Sequence, residues 1–210
     1  MKVGIVLGSS RSIRLGERVC KFILREADKV PGADFQILDL REYGLPFYDE
    51  AIPPQANPAR NPPRTVQRWL SDMASADAYV FVTPEYNFGI PGVLKNALDF
   101  LAYEAEGKPA LIVSYSDNVR GGDLAGQELR LIVSKLGMFP LPKSIPLGHA
   151  ERLFDESGVL VERSDWGARV SMAVPRLISD LVRYAAALGQ IKAENPTFRP
   201  LPRASAPTPL

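Results

Sequence analysis

Three runs in this chain are apolar almost without interruption: KVGIVLG (2–8), DAYVFVTPEYN up to its polar end (77–87) and PALIVSYS (109–116). A strand with only one face buried alternates apolar and polar residues. Near-continuous apolar runs of this length indicate strands covered on both sides. Between them lie segments with helical spacing. Residues 15–29 carry an apolar stripe of Leu15, Val19, Cys20, Phe22, Ile23 and Ala27. Residues 64–75, 90–101, 123–136 and 166–188 also read as helices, and Pro91 stands near the first turn of the third. DFQILDL (34–40) alternates like a strand, and MFPLPKSIPL (138–147) reads as a proline-interrupted strand at a sheet edge. Five strands and five helices in alternation predict an α/β fold, a parallel sheet with helices on both faces. Residues 1–190 are expected to form one domain, followed by a proline-rich tail over 191–210.

Composition narrows the function classes. A net charge of +1 provides no global field for nucleic acid or an anionic membrane, so an anion site has to be local. One cysteine excludes an internal disulfide, and one histidine with one cysteine makes a metal centre unexpected. Cys20 reads as core packing and His149 as an exposed loop residue. The opening MKVGIVLGSS reads as a strand rather than a secretory signal, and no long apolar run follows, so a cytoplasmic protein is expected.

Open parallel sheets bind ligands beyond the carboxyl ends of their strands. Three loops leave those ends with unusual content. In the first, LGSSRSIRLGERV (7–19), Gly8 ends the strand, Ser9 and Ser10 offer hydroxyls, and Arg11 and Arg14 add charge and planar donor forks suited to phosphate. Gly16 would let the helix approach closely. A triphosphate loop would need a lysine that is absent, a dinucleotide loop would need G-x-G-x-x-G, and a hydrolase elbow would need G-x-S-x-G. A polar turn with two surface arginines remains the alternative. In the second loop, Pro84 stiffens the strand exit, and Glu85, Tyr86 and Asn87 can present backbone amides to the edge of a flat ring. A tight turn with incidental aromatics fits the same residues. The third loop has Ser114 and Tyr115 at the strand end, with Gly121 and Gly122 opening the next helix. A plain flexible connection is equally consistent there.

Taken together, these residues resemble the NADPH-dependent FMN reductase family. The first loop is similar to its G-S-[ST]-R-x-x-R-x-G-x-x-V signature at Gly8, Ser9, Ser10, Arg11, Arg14, Gly16 and Val19. Thr83 through Asp99 resemble its T-P-E-Y-N-x-[GS]-x-P-x-x-L-K-N-A-[LI]-D motif. Ser114, Tyr115, Gly121, Gly122, Leu129 and Arg130 resemble its S-Y…G-G…L-R segment, with a longer stretch between Tyr115 and Gly121. The resemblance covers roughly residues 1–148. It implies a flavodoxin-like three-layer sandwich with strand order 2-1-3-4-5 and noncovalent FMN. The phosphate would go to Ser9, Arg11 and Arg14, with the amides of residues 14–19 nearby, and Ser10 and Gly16 also belong to the implied cofactor site. The ring would lie along Pro84, Glu85, Tyr86 and Asn87, and Ser114, Tyr115, Gly121 and Gly122 would close the other edge. NADPH or NADH would donate hydride and a small planar acceptor, a quinone first, would take it by ping-pong exchange. No side chain is an obligate catalyst, because the flavin carries the chemistry. A homodimer or homotetramer is implied as well. A single-electron carrier and a redox-sensing partner-binding protein are the other readings. The long proline-rich connection 41–63 is expected beside the flavin or against a neighbouring subunit.

Overall fold

The computed structural model describes residues 1–194. Its frame is a sheet in the order β2-β1-β3-β4-β5, formed by β1 (Lys2–Leu7), β2 (Asp34–Asp39), β3 (Ala78–Pro84), β4 (Pro109–Tyr115) and β5 (Phe139–Pro140). Every pairing is parallel. The edge segment differs from the single strand expected over 138–147. It makes two short strands, β5 beside the start of β4 and β6 (Ile145–Leu147) beside its end. The prolines explain the break. Pro140, Pro142 and Pro146 supply no amide to a ladder, so pairing survives only in short pieces.

Five long helices cover the sheet: α1 (Gly16–Ala27), α3 (Arg64–Ser75), α4 (Gly92–Asp99), α5 (Asp123–Lys135) and α7 (Asp165–Glu194). Two one-turn helices, α2 (Leu40–Tyr43) and α6 (Ala150–Leu153), were not expected. Strand alternation sorts the core into two layers. Val3, Ile5 and Leu7 of β1, with Val80, Val82, Leu111 and Val113, pack under α1 and α7. Val6, Tyr79, Phe81, Ala110 and Ile112 face the other way, under α3, α4 and α5. All residues of β3 and β4 are buried, as their unbroken apolar runs require. Trp69 anchors the second layer, fully buried, and its indole N–H donates to the Ala97 carbonyl at 2.8 Å. This is the flavodoxin-like arrangement.

The helix expected over 166–188 runs on to Glu194, so the first four residues of the expected tail belong to α7. The remainder of that tail lies outside the described residues. The proline-rich connection lies against its own chain. The Tyr48 amide donates to Asn96 Oδ1 of α4 at 2.8 Å, and Asn96 Nδ2 donates to the Pro46 carbonyl at 2.7 Å. Arg60 bridges Glu50 and Glu104 at 3.3 and 3.2 Å. Among the described residues, no helix is long and apolar enough to cross a membrane.

Candidate functional site

The chain leaves β1 toward β2 on one side, and β3 lies on the other. The carboxyl ends of β1 and β3 therefore flank the point where strand order reverses, the expected ligand crevice of such a sheet. The Gly8 amide continues the ladder by donating to the Val82 carbonyl at 2.9 Å. Beyond it, backbone pairing stops. Among the described residues, the amides of Ser9, Ser10, Ser12, Ile13, Arg14 and Leu15 have no protein acceptor, and that of Arg11 reaches only Ser9 Oγ at 3.5 Å. Six of the seven amides at the entrance of this twelve-residue helix are thus left without a protein acceptor among the described residues, a donor-rich helix start of the kind that takes anions. A groove of about 540 Å³ opens along this loop, bordered by Arg11, Ser12, Arg18, Lys21 and, from the third loop, Asp117.

The two arginines of the loop have different surroundings. Arg11 is exposed and its guanidinium has no protein partner among the described residues. Arg14 is buried. Its Nη1 donates to the Ser9 carbonyl at 2.5 Å and to Asp39 Oδ1 at 2.8 Å, its Nη2 donates to Asp39 Oδ2, and its Nε donates to Glu17 at 3.0 Å. Burial pulls its pKa down, but the bonds to Asp39 and Glu17 outweigh that and leave it raised. Gly16 sits where a Cβ would come within 2.6 Å of both Leu7 Cδ1 and the Tyr115 hydroxyl, so a side chain there would have to push both buried residues aside for α1 to start this close to β1 and β4.

The three loops meet. Ser9 Oγ and the Tyr86 hydroxyl share a hydrogen bond of 3.0 Å, joining the first to the second. The Gly16 amide donates to the Tyr115 hydroxyl, joining the first to the end of β4, and burial pushes that hydroxyl's pKa up. Glu85 Oε2 accepts from the Ala125 amide at 3.1 Å, so its carboxylate caps α5. Pro84 is the last residue of β3, paired with Tyr115. Tyr86 and Gly89 exchange backbone bonds of 2.9 and 3.0 Å around Asn87 and Phe88, which have φ of 50° and 68°. This tight I′-like turn uses two non-glycine residues in left-handed geometry and leaves Asn87 and Phe88 exposed.

Gly121 and Gly122 have φ of 63° and 73°. A Cβ on Gly121 would stand 2.6 Å from backbone atoms of Pro146, Leu147 and Gly148, and one on Gly122 3.0 Å from the Tyr115 carbonyl. The space they spare is filled by the chain itself. Ser114 is buried with its Oγ unpartnered, beneath Gly126 of α5. His149 is exposed at the start of α6, and Cys20 is buried, its thiol pKa raised by burial.

Sequence reasoning missed Asp39 and Arg41. The Arg41 amide donates to Asp39 Oδ1 at 2.9 Å, and its guanidinium donates to the carbonyls of Ser10, at 3.4 Å, and Arg11. The D-x-x-E pattern at Asp39–Glu42 is a helix-start signature that could have drawn attention to this corner.

The NADPH-dependent FMN reductase family matches residues 1–152. An NAD(P)H-dependent FMN reductase from a Nectria species is 36% identical over 172 residues, covering 78% of this chain and 85% of that protein. A quinone reductase from Pseudomonas putida is 32% identical over 169 residues, covering 77% and 86%. Among solved structures, the flavoenzyme NAD(P)H:(acceptor) oxidoreductase FerB from Paracoccus denitrificans superposes with a TM-score of 0.70 at 24% identity, covering 89% of this chain and 97% of its own. The matched span holds all three converging loops, and the chain belongs to the NADPH-dependent FMN reductase family.

Proposed function

We propose that this protein is an FMN-dependent NAD(P)H oxidoreductase that passes hydride to a small planar acceptor, a quinone foremost, with donor and acceptor using one place in turn. The family supports the oxidoreductase class, FMN and the NAD(P)H donor. FMN, when bound, supplies the hydride-accepting and hydride-donating centre. The observation that carries the reading is the run of amides over residues 9–15 that, among the described residues, meet no acceptor apart from the long Arg11–Ser9 contact, beside the exposed Arg11 guanidinium, at the reversal of strand order. That donor set fits a phosphate monoester dianion.

In this reading Arg11, the Ser10 hydroxyl and the amides of the first loop hold the phosphate. Tyr86 is steadied by Ser9, and the exposed turn at Asn87 and Phe88 presents its backbone to the ring edge. Amides aimed where negative charge develops need no reorganisation during reaction. Glu85 acts through its backbone, because its carboxylate is occupied by α5. Gly121 and Gly122 serve by letting the third loop close onto β4 and β6. The reading includes a single domain over residues 1–190, a cytoplasmic location, and self-association as a homodimer or homotetramer with α4 near the contact. Light scattering on the purified protein tests the last point.

The direct test is optical. The purified chain should carry the visible absorption of an oxidised flavin. It should bleach with NADPH or NADH under argon and recover on adding a quinone. A colourless protein that FMN cannot reconstitute would refute the reading.

A further inference from the structure

Three successive carbonyls of the first loop are held on one side. Arg14 takes that of Ser9, and Arg41 takes those of Ser10 and Arg11. Asp39 ties the two together: it binds the Arg14 guanidinium through both oxygens and, as the N-cap of α2, accepts the backbone amide of Arg41. Glu17 supports the pair from the other side, 3.0 Å from Arg14 and 4.0 Å from Arg41. In a planar trans peptide the C=O and the following N–H point in opposite directions. Holding the carbonyls of residues 9, 10 and 11 therefore turns the amides of residues 10, 11 and 12 the other way together.

We infer that Asp39, on β2 and outside the family's loop signature, is the positioning residue that shapes the phosphate cradle, acting through Arg14 and Arg41. The inference rests on the reading that the first loop receives the FMN phosphate. Arg14 then contributes orientation rather than phosphate contact. Four of its five N–H donors go to Ser9, Asp39 and Glu17, and Asp39 and Glu17 supply two negative charges beside Arg14 and Arg41. The attraction left for a ligand comes from Arg11 and the oriented amides.

Charge and positioning make opposite predictions for Asp39→Asn. Removing a carboxylate beside the site raises the local positive potential, which by itself would tighten FMN. Loosening the Arg14 guanidinium, and the start of α2 from which Arg41 reaches the loop, lets the carbonyls turn, which weakens it. The full chain, stripped of flavin, is titrated with FMN and with riboflavin, following flavin fluorescence, and its thermal midpoint is recorded. We expect Asp39→Asn to weaken FMN by about tenfold or more while riboflavin changes by less than about twofold, so that the preference for the phosphorylated ligand falls. Arg41→Gln, an exposed change, should lower the same preference by a smaller factor, and carries the test if Asp39→Asn does not fold. Equal losses for both flavins would mean general damage and would overturn the inference, as would unchanged or tighter FMN binding. Arg11→Ala separates the two levels. If it leaves the FMN-over-riboflavin preference intact, the phosphate lies elsewhere. If it abolishes that preference while Asp39→Asn and Arg41→Gln do not, only the positioning role fails.

Discussion

Arg11 and Arg14 stand three residues apart in one signature, yet the structure separates their work, and a pair of alanine variants should show it. Arg11 is exposed and its guanidinium has no partner among the described residues, so its removal orphans no group there. Its loss should fall on the ligand alone, weakening FMN by about 1.5–3 kcal/mol, the scale of a hydrogen bond to a charged group. That corresponds to a rise in Kd of about 10- to 150-fold, with a thermal midpoint of the flavin-free protein within about 1 °C of the parent. Arg14 is the reverse case. Its side chain is 3% exposed and that of Asp39 is 18% exposed. Arg14→Ala strands the Asp39 carboxylate and the Ser9 carbonyl. Stability should fall by about 2–4 kcal/mol, toward the lower side of what breaking a buried pair costs because Asp39 keeps some water. Urea unfolding of the flavin-free variants measures the second quantity, and fluorescence titration with FMN measures the first. If Arg11→Ala destabilises the protein as much as Arg14→Ala, or Arg14→Ala unfolds at the parental midpoint, the assignment of the two roles is wrong.

Glu85→Ala should remove the α5 cap and lower stability by about 1 kcal/mol, yet retain turnover with NAD(P)H and a quinone; complete loss of turnover would restore a direct role for that carboxylate. Phe88 is 68% exposed at φ 68°, so Phe88→Gly should be neutral to about 1 kcal/mol more stable once left-handed strain is relieved. A clear loss of stability in a melting experiment would show that the ring packs. Burial lowers the Lys108 ammonium to about 8, although it donates to the Met73 and Ala74 carbonyls at 2.9 and 2.8 Å. Between about pH 8 and 10 the unfolded chain then binds more protons at this residue than the folded one, so stability should rise with pH there. Above pH 10 the trend should reverse, because burial raises Tyr43, Tyr79 and Tyr115 and these lose their protons first in the unfolded chain. Lys108→Met should flatten the rise between pH 8 and 10, and a Lys108→Met profile parallel to the parent's would remove Lys108 as its source.

Much of the fold was legible because burial on both faces leaves a simple mark. KVGIVLG, AYVFVTP and PALIVSY contain almost no polar residue, and each became a strand of the sheet's interior. The amphipathic stripes placed the five long helices for the same reason. The edge was less legible. A strand interrupted by three prolines can pair in pieces, and which pieces do so depends on the neighbour's free carbonyls. The length of the last helix was also underestimated, since a polar helical end has no apolar stripe to reveal it.

At the site, the sequence by itself determined the residue types available: serines, arginines and glycines at the ends of strands that had to be parallel and interior. Local chemistry was enough for that, because a phosphate needs donors and a close backbone approach needs the absence of a side chain. Only the tertiary structure decided which arginine was free. The parallel register sets Asp39 of β2 directly beside Leu7 of β1, bringing a carboxylate 25 residues away onto Arg14. The same long-range packing gave Glu85 to α5 and filled the space around Gly121 with the backbone of β6 and of Gly148. These assignments depend on strand register and on which surfaces touch, and no spacing within a single loop encodes either.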